Sequence, residues 1–234
     1  IFTNTARVWR HNTRGDYWLY HVAAKKLQQI GKDRPSQSLL YAKLSPDGQQ
    51  VAYVSENNLY VEPVATGKSK ALTSTNKTKK LINGTFDWVY EEEFACRDGF
   101  QWSPDSKRIA FWEVDATDTR DFYMINNTDS IYAQIIPVEY PKVGEAPSAV
   151  RIGVVELAGN QTTWLNIPGD PRQHYLPRME WNSNTELFVQ QLNRKQNESK
   201  ILNCNVVANT TSVVFTERDD AWIDVGGPWD DKYS

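Results

Sequence analysis

Three consecutive carboxylates set among aromatic residues, in Asp87-Trp88-Val89-Tyr90-Glu91-Glu92-Glu93-Phe94, are the residues of this 234-residue chain with the most pointed chemistry. A primary ammonium carries three N–H donors and can be shared between two carboxylates. Each pair gains about 4 kcal/mol at an effective dielectric near 20, before desolvation is subtracted. Neighbouring residues on a strand point to opposite faces, so Glu92 and Glu93 converge on one cation only if the backbone over 88–94 turns or forms a short helix. A non-strand conformation is therefore expected there. Crowding two like charges is also expected to raise one proton affinity, an effect that an arriving cation reverses. Taken alone, an acidic triplet is more often a solvated helix start or loop, and the residues by themselves leave that reading open.

Other chemistries find less support. No G-x-S-x-G nucleophile elbow occurs; Gly67-Lys68-Ser69-Lys70-Ala71 comes nearest, but it lacks the final glycine and falls in a hairpin turn. His11, His21 and His174 sit in strand or loop contexts without a nucleophile partner, so no catalytic residue is assigned. Cys96 and Cys204 are too few for a disulfide framework and lack metal-ligand spacing; each reads as a buried free thiol, with no metal and no cofactor expected. A formal charge of -3 provides no basic field for a phosphate backbone, which argues against nucleic acid as a partner. No apolar run approaches the roughly 20 residues of a membrane-spanning helix. The opening IFTNTARVWRH lacks both an initiator Met and the basic-then-apolar order of a signal peptide, and reads as a cut inside a longer polypeptide. Asn-x-Ser/Thr triplets begin at Asn76, Asn83, Asn126, Asn160, Asn197 and Asn209, and carry little weight in an Asn-rich chain.

The elements that must position the acidic run are strands. Tryptophan, tyrosine, valine and isoleucine cluster in runs of about four to eight residues between turn signals. Over 38–73 the breaks at Pro46-Asp47-Gly48, Asn57-Asn58 and Ala65-Thr66-Gly67-Lys68 predict four strands joined by three hairpins. The apolar-Ser-Pro-Asp pattern returns in GFQWSPDSKRIAFWE at 99–113. A diverged third copy begins at RMEWNSNTELFVQQL and runs through SVVFTE. Repeats of four antiparallel strands at periods of about 40 to 60 residues point to propeller blades. The opening strands, TARVWRH through LQQI, read as the end of a preceding blade, and AWIDV near 223 as the first strand of another. The expected architecture is thus an all-β, partial β-propeller over 1–234: about three whole blades, partial blades at both ends, and irregular inserts at about 74–98 and 126–149. Such inserts on a rigid scaffold are where binding groups tend to sit.

DWVYEEEF, the WSPD turn, NNTDS and YPKVGEA together closely resemble the propeller of the dipeptidyl peptidase IV-like serine peptidases, the S9B branch of the prolyl oligopeptidase family. The resemblance runs across nearly the whole chain and is most specific at YEEEF. It implies that Glu92 and Glu93 bind the free α-amino group of a peptide substrate. It implies also that Arg10, in Trp9-Arg10-His11, contacts a substrate carbonyl and the glutamate pair. Without it, Arg10 reads as an exposed strand arginine in a surface ion pair. The implied activity is removal of Xaa-Pro or Xaa-Ala dipeptides from free N-termini, with the catalytic triad on a C-terminal α/β-hydrolase domain of the same polypeptide, absent here. This stretch alone is then expected to be inactive. The implication extends to a homodimer of the full-length form and to a periplasmic, secreted or cell-surface location. A rival reading is a non-catalytic propeller that docks partner proteins, its acidic triplet a docking patch.

Overall fold

The computed structural model describes residues 1–75 and 78–225. Asn76 therefore lies outside the described residues. Strands β1 (Phe2–Val8), β2 (His11–His21) and β3 (Lys26–Gln29) come first, followed by β4 (Leu39–Leu44), β5 (Gln50–Ser55), β6 (Asn58–Pro63) and β7 (Lys70–Ala71). Next are β8 (Leu81–Asn83), the helix α1 (Trp88–Phe94), β9 (Phe100–Trp102), β10 (Arg108–Asp115), β11 (Asp121–Asn126) and β12 (Gln134–Glu139). The chain continues with β13 (Ala149–Glu156), β14 (Gln161–Trp164), β15 (His174–Trp181), β16 (Glu186–Asn193), β17 (Glu198–Asn205) and β18 (Thr210–Arg218).

All strand pairings among the described residues are antiparallel. The expected unit over 38–73 is β4-β5-β6-β7, the second is β14-β13-β10 with β8 and β9 both pairing β10, and the third is β15-β16-β17-β18. These are the blades of a partial propeller; none of the described sheets closes on itself.

The repeated turn has one chemistry in both copies. The Ser45 hydroxyl donates to Asp47 Oδ1 and accepts from the Gln50 N–H, while the Ser103 hydroxyl donates to Asp105 Oδ1 and accepts from the Arg108 N–H. The turns also meet: the Asp47 N–H donates to Ser106 Oγ at 3.1 Å. Indole donors stitch adjacent blades in the same cyclic sense, Trp102 Nε1–H to the Lys43 carbonyl and Trp181 Nε1–H to the Gln101 carbonyl. Strand β10 explains why the blades must stack. Its Ile109 and Phe111 enter the core shared with the first unit, alongside Val54 and Leu59. Its Ala110, Trp112 and Val114 enter the core shared with the third unit, alongside Leu176 and Val189. The period-2 alternation thus feeds two cores rather than one core and solvent, so neither face can be left bare.

Four expectations are corrected. Strand β2 pairs β4 through Arg14–Leu40 and Gly15–Leu39, so the opening strands join the sheet of the 38–73 unit instead of forming a separate one. The segment at about 74–98 is only partly irregular: it supplies β8, which pairs Glu113–Asp115 of β10, and then α1. The segment at about 126–149 is likewise only partly irregular: 127–133 and 140–148 are irregular, but β12 between them pairs β11 in unbroken register from Asp121–Glu139 to Asn126–Gln134. The segment at 221–225 is not a strand; Ile223 is buried and its N–H donates to the Gln196 carbonyl.

Glu62 of β6 is fully buried, its Oε2 accepting the Gly31 N–H at 3.0 Å and the Tyr53 O–H at 3.2 Å. Burial, reinforced by the nearby Asp33 carboxylate, pushes its carboxyl above the ordinary 4.5. The folded state therefore binds more protons than the unfolded chain above that pH. Stability falls as pH rises from there through the folded value, by at most about 1.4 kcal/mol per pH unit. Glu62→Gln is expected to abolish this slope, so the gap in unfolding free energy between variant and wild type, measured by denaturant titration, widens in the variant's favour from pH 4 to pH 8. A gap independent of pH refutes the assignment.

Candidate functional site

Helix α1 exists because both its ends are satisfied locally and one stripe is apolar. Asp87 is the N-cap, with extended backbone (φ -79, ψ 178) and a side chain that accepts the Tyr90 N–H. Ala95 closes the helix in the left-handed region (φ 54), its N–H returning to the Tyr90 carbonyl. Tyr90 and Phe94, four apart and so on one face, are buried against Tyr175 with ring centroids 6.1 and 5.1 Å away. The Tyr90 hydroxyl accepts the Leu176 N–H at 3.1 Å, fixing the helix to the third blade.

With that stripe buried, the three glutamates are distributed by helical geometry. Successive residues turn by about 100° around a helix, so each carboxylate meets a different environment. Glu91 is largely buried, and Arg97 Nε lies 3.3 Å from its Oε1. Burial pushes its carboxyl up, and the Arg97 charge opposes the shift. Glu92 is held by Arg10 through a two-pronged contact, Nε–H to Oε2 at 2.8 Å and Nη2–H to Oε1 at 2.6 Å. Glu93 is exposed and has no ion pair among the described residues. It lines a groove of about 1170 Å³ together with Trp9, Trp88, Tyr140, Tyr175 and Trp222.

The structure thus brings Arg10 onto Glu92, 82 positions away in sequence, and turns Glu93 toward a groove shared with Trp9, the neighbour of Arg10. The expectation of a non-strand conformation over 88–94 holds. The expected electrostatics need correction: Glu92 is not the carboxyl whose proton affinity rises. The hydrogen bonds from Arg10 hold it below its ordinary value, and the raised carboxyl is Glu91, chiefly because it is buried. Sequence reasoning missed Arg97, Ser148, which donates to Asp87 Oδ2 at 2.7 Å, and Tyr175. The only available signal was Asp87 three residues before Tyr90, the spacing of an N-cap bond to N3.

Of the remaining candidates, His11 and Cys96 lie close to α1, but none lines the groove of Glu93. Cys96 and Cys204 are buried free thiols, and burial pushes Cys96 up to about 12, far from a reactive thiolate. His174 Nδ1 bonds Gln191 Nε2, and His21 Nδ1 accepts the Ala24 N–H. No cluster of three or more metal-ligating side chains occurs among the described residues.

A profile of the dipeptidyl peptidase IV (DPP IV) N-terminal region matches residues 1–230. The chain belongs to that family. The inactive dipeptidyl peptidase 10 of Rattus norvegicus is 31% identical over 222 residues, which cover 93% of this chain and 28% of that protein. Dipeptidyl aminopeptidase B of Saccharomyces cerevisiae is 27% identical over 236 residues, 98% of this chain and 28% of the relative. The crystal structure of Porphyromonas gingivalis dipeptidyl peptidase 4 superposes with a TM-score of 0.89 at 27% identity, covering 96% of this chain and 32% of that one. The chain therefore spans a little under a third of the length of the relatives it matches.

In this family's N-terminal region, the Arg10–Glu92 contact is open to direct measurement. Arg10→Gln is expected to move the Glu92 carboxyl midpoint upward, toward the ordinary glutamate value, in a carbon-13 NMR titration of the glutamate side chains. A midpoint unmoved by the substitution assigns the depression to another cause.

Proposed function

We propose that this region selects substrates for a serine dipeptidyl peptidase by holding the α-ammonium of a peptide between Glu92 and Glu93. The observation that carries the reading is the pairing of the carboxylates of α1. Glu91 and Glu92 each hold a guanidinium, Arg97 and Arg10, while Glu93 makes no ion pair among the described residues, although Lys142 and Arg194 line the same groove. A primary ammonium supplies a positive charge with three donors, enough to reach Glu93 and an oxygen of Glu92 together. Arg10, with its side chain 69% exposed, contributes position more than stability and has donors left for a peptide carbonyl.

The consequence is a ruler. An anchored amino terminus sets how far into the chain a downstream nucleophile can reach, and a peptide without a free ammonium leaves the carboxylate uncompensated. The nucleophile, on this reading, belongs to an α/β-hydrolase domain of the same polypeptide, and the preference for Xaa-Pro or Xaa-Ala is read from the family. Likeness to an inactive member favours a second reading, a non-catalytic docking propeller. A G-x-S-x-G elbow in the full reading frame decides between them.

The test uses the full-length protein. An Xaa-Pro dipeptide is expected to lose at least tenfold in affinity on N-acetylation, and Glu93→Gln to weaken the free dipeptide to a similar degree while leaving the acetylated one unaffected. Indifference to acetylation defeats the ruler.

A homodimer of the full-length form is part of the proposal. Its support is the β11–β12 hairpin, where Tyr123, Ile125, Ile131, Tyr132 and Ile135 are all exposed, a concentration of apolar surface typical of an interface. Ile125→Glu with Ile135→Glu is expected to shift the full-length protein from dimer to monomer in sedimentation velocity; an unchanged sedimentation coefficient refutes the role of the hairpin.

A further inference from the structure

The carboxylate before the acidic triplet points inward, not toward solvent. Asp87 is 4% exposed and spends both oxygens on neighbours: Oδ1 accepts the Tyr90 N–H at 3.0 Å, and Oδ2 accepts the Ser148 O–H at 2.7 Å. Since the proton of Ser148 is committed to Asp87, the Thr119 hydroxyl, 3.4 Å away, is the donor to Ser148 Oγ. Ser148 and Thr119 are themselves 2% and 4% exposed. They sit at the two ends of the segment that carries the β11–β12 hairpin, Thr119 two residues before β11 and Ser148 one residue before β13. Two further contacts tie the same region. Lys80 Nζ donates to the Thr119 carbonyl and to Asp121, and the Trp88 ring lies 4.5 Å from that of Tyr140 just beyond β12.

We infer that Asp87 is a positioning residue for the acidic pair: it fixes the angle of α1 from which Glu92 meets Arg10 and Glu93 faces the groove, and through Ser148 and Thr119 it locks that angle to the root of the hairpin. This inference rests on the reading of Glu92 and Glu93 as ammonium anchors. The helix has only seven residues, too few to hold its direction by its own hydrogen bonds, so its cap and its buried stripe set where the carboxylates point. Tyr90 and Phe94 fix the stripe. Asp87 fixes the remaining freedom, rotation and tilt at the N-terminal end. Asparagine can replace it, because the amide oxygen still accepts the Tyr90 N–H and the amide nitrogen can donate to Ser148, whose own proton then turns to Thr119.

The experiment compares Asp87→Ala, Asp87→Asn, Ser148→Ala and Glu93→Gln in the full-length enzyme, with an Xaa-Pro chromogenic amide bearing a free amino terminus. Asp87→Ala is expected to raise KM roughly five- to tenfold with kcat within about twofold, the pattern of lost binding in ground and transition state alike. Asp87→Asn is expected to return KM to within about twofold of wild type. Ser148→Ala, which spares the cap, should raise KM about threefold, and it keeps the test alive should Asp87→Ala fail to fold. A lowered thermal midpoint with unchanged KM in Asp87→Ala and Ser148→Ala reduces the network to a structural one and overturns the inference. Glu93→Gln separates the two levels: if it raises KM while the Asp87 and Ser148 variants do not, the positioning role alone is wrong. If Glu93→Gln leaves KM unchanged, the anchor reading falls and this inference with it.

Discussion

Three adjacent carboxylates on a seven-residue helix are electrostatically awkward. They repel one another, and although Glu91 lies in the first turn, Glu92 and Glu93 stand toward the end where helix carbonyls already concentrate partial negative charge. The arrangement persists because the surrounding fold assigns each carboxylate a separate solution. Glu91 is withdrawn from water beside Arg97, Glu92 is clamped by Arg10, and Glu93 lines a groove with Lys142 and Arg194 but pairs with neither. The proposal for this region follows from that unpaired carboxylate, because a carboxylate without an ion pair discriminates by charge before it discriminates by shape.

The scaffold contributes rigidity at just the points this balance requires. Arg10 lies at the turn between β1 and β2, α1 lies between β8 and β9, and Tyr175 opens the third blade, so one small site draws on three units of the repeat. Their relative positions are set by contacts that recur from blade to blade: the serine–aspartate turns, the indole-to-carbonyl bonds, and a central strand whose alternate side chains fill two cores. A repeat architecture is well suited to this, since each unit completes its core only against its neighbours and so fixes their spacing. The hairpin of β11 and β12 is the exception. It interrupts the second blade between β10 and β13, exposes much of its apolar surface, and is rooted beside the cap of α1.

Much of the fold was legible in the chain. The turn residues at Pro46-Asp47-Gly48 and their echo at Ser103-Pro104-Asp105 fixed the hairpins because their chemistry is local, a hydroxyl and a carboxylate satisfying backbone groups within five residues. The 88–94 segment was legible as non-strand for an equally local reason, the geometry required of adjacent side chains. The hairpin at 121–139 escaped because Asn-Asn-Thr-Asp-Ser and the nearby prolines resemble irregular chain, and because a strand exposed on both faces lacks the alternation that marks a half-buried one. The strand expected at 221–225 failed for the opposite reason. Its apolar residues are real and Ile223 is buried, but burial came from packing onto Gln196 and its neighbours, not from pairing.

The sequence by itself determined the all-β repeat, the family to which the chain belongs, and the presence of an acidic run beside aromatic residues, since composition, spacing and turn chemistry are written in neighbouring positions. Only the tertiary structure decided which carboxylate is buried, which is clamped and which is open. Those fates depend on Arg97, Arg10 and the groove around Trp9 and Tyr175, and two of these partners reach α1 across more than 80 residues of sequence. Charge compensation is a matter of distances in space, and a linear pattern carries no distances between residues that the fold alone brings together.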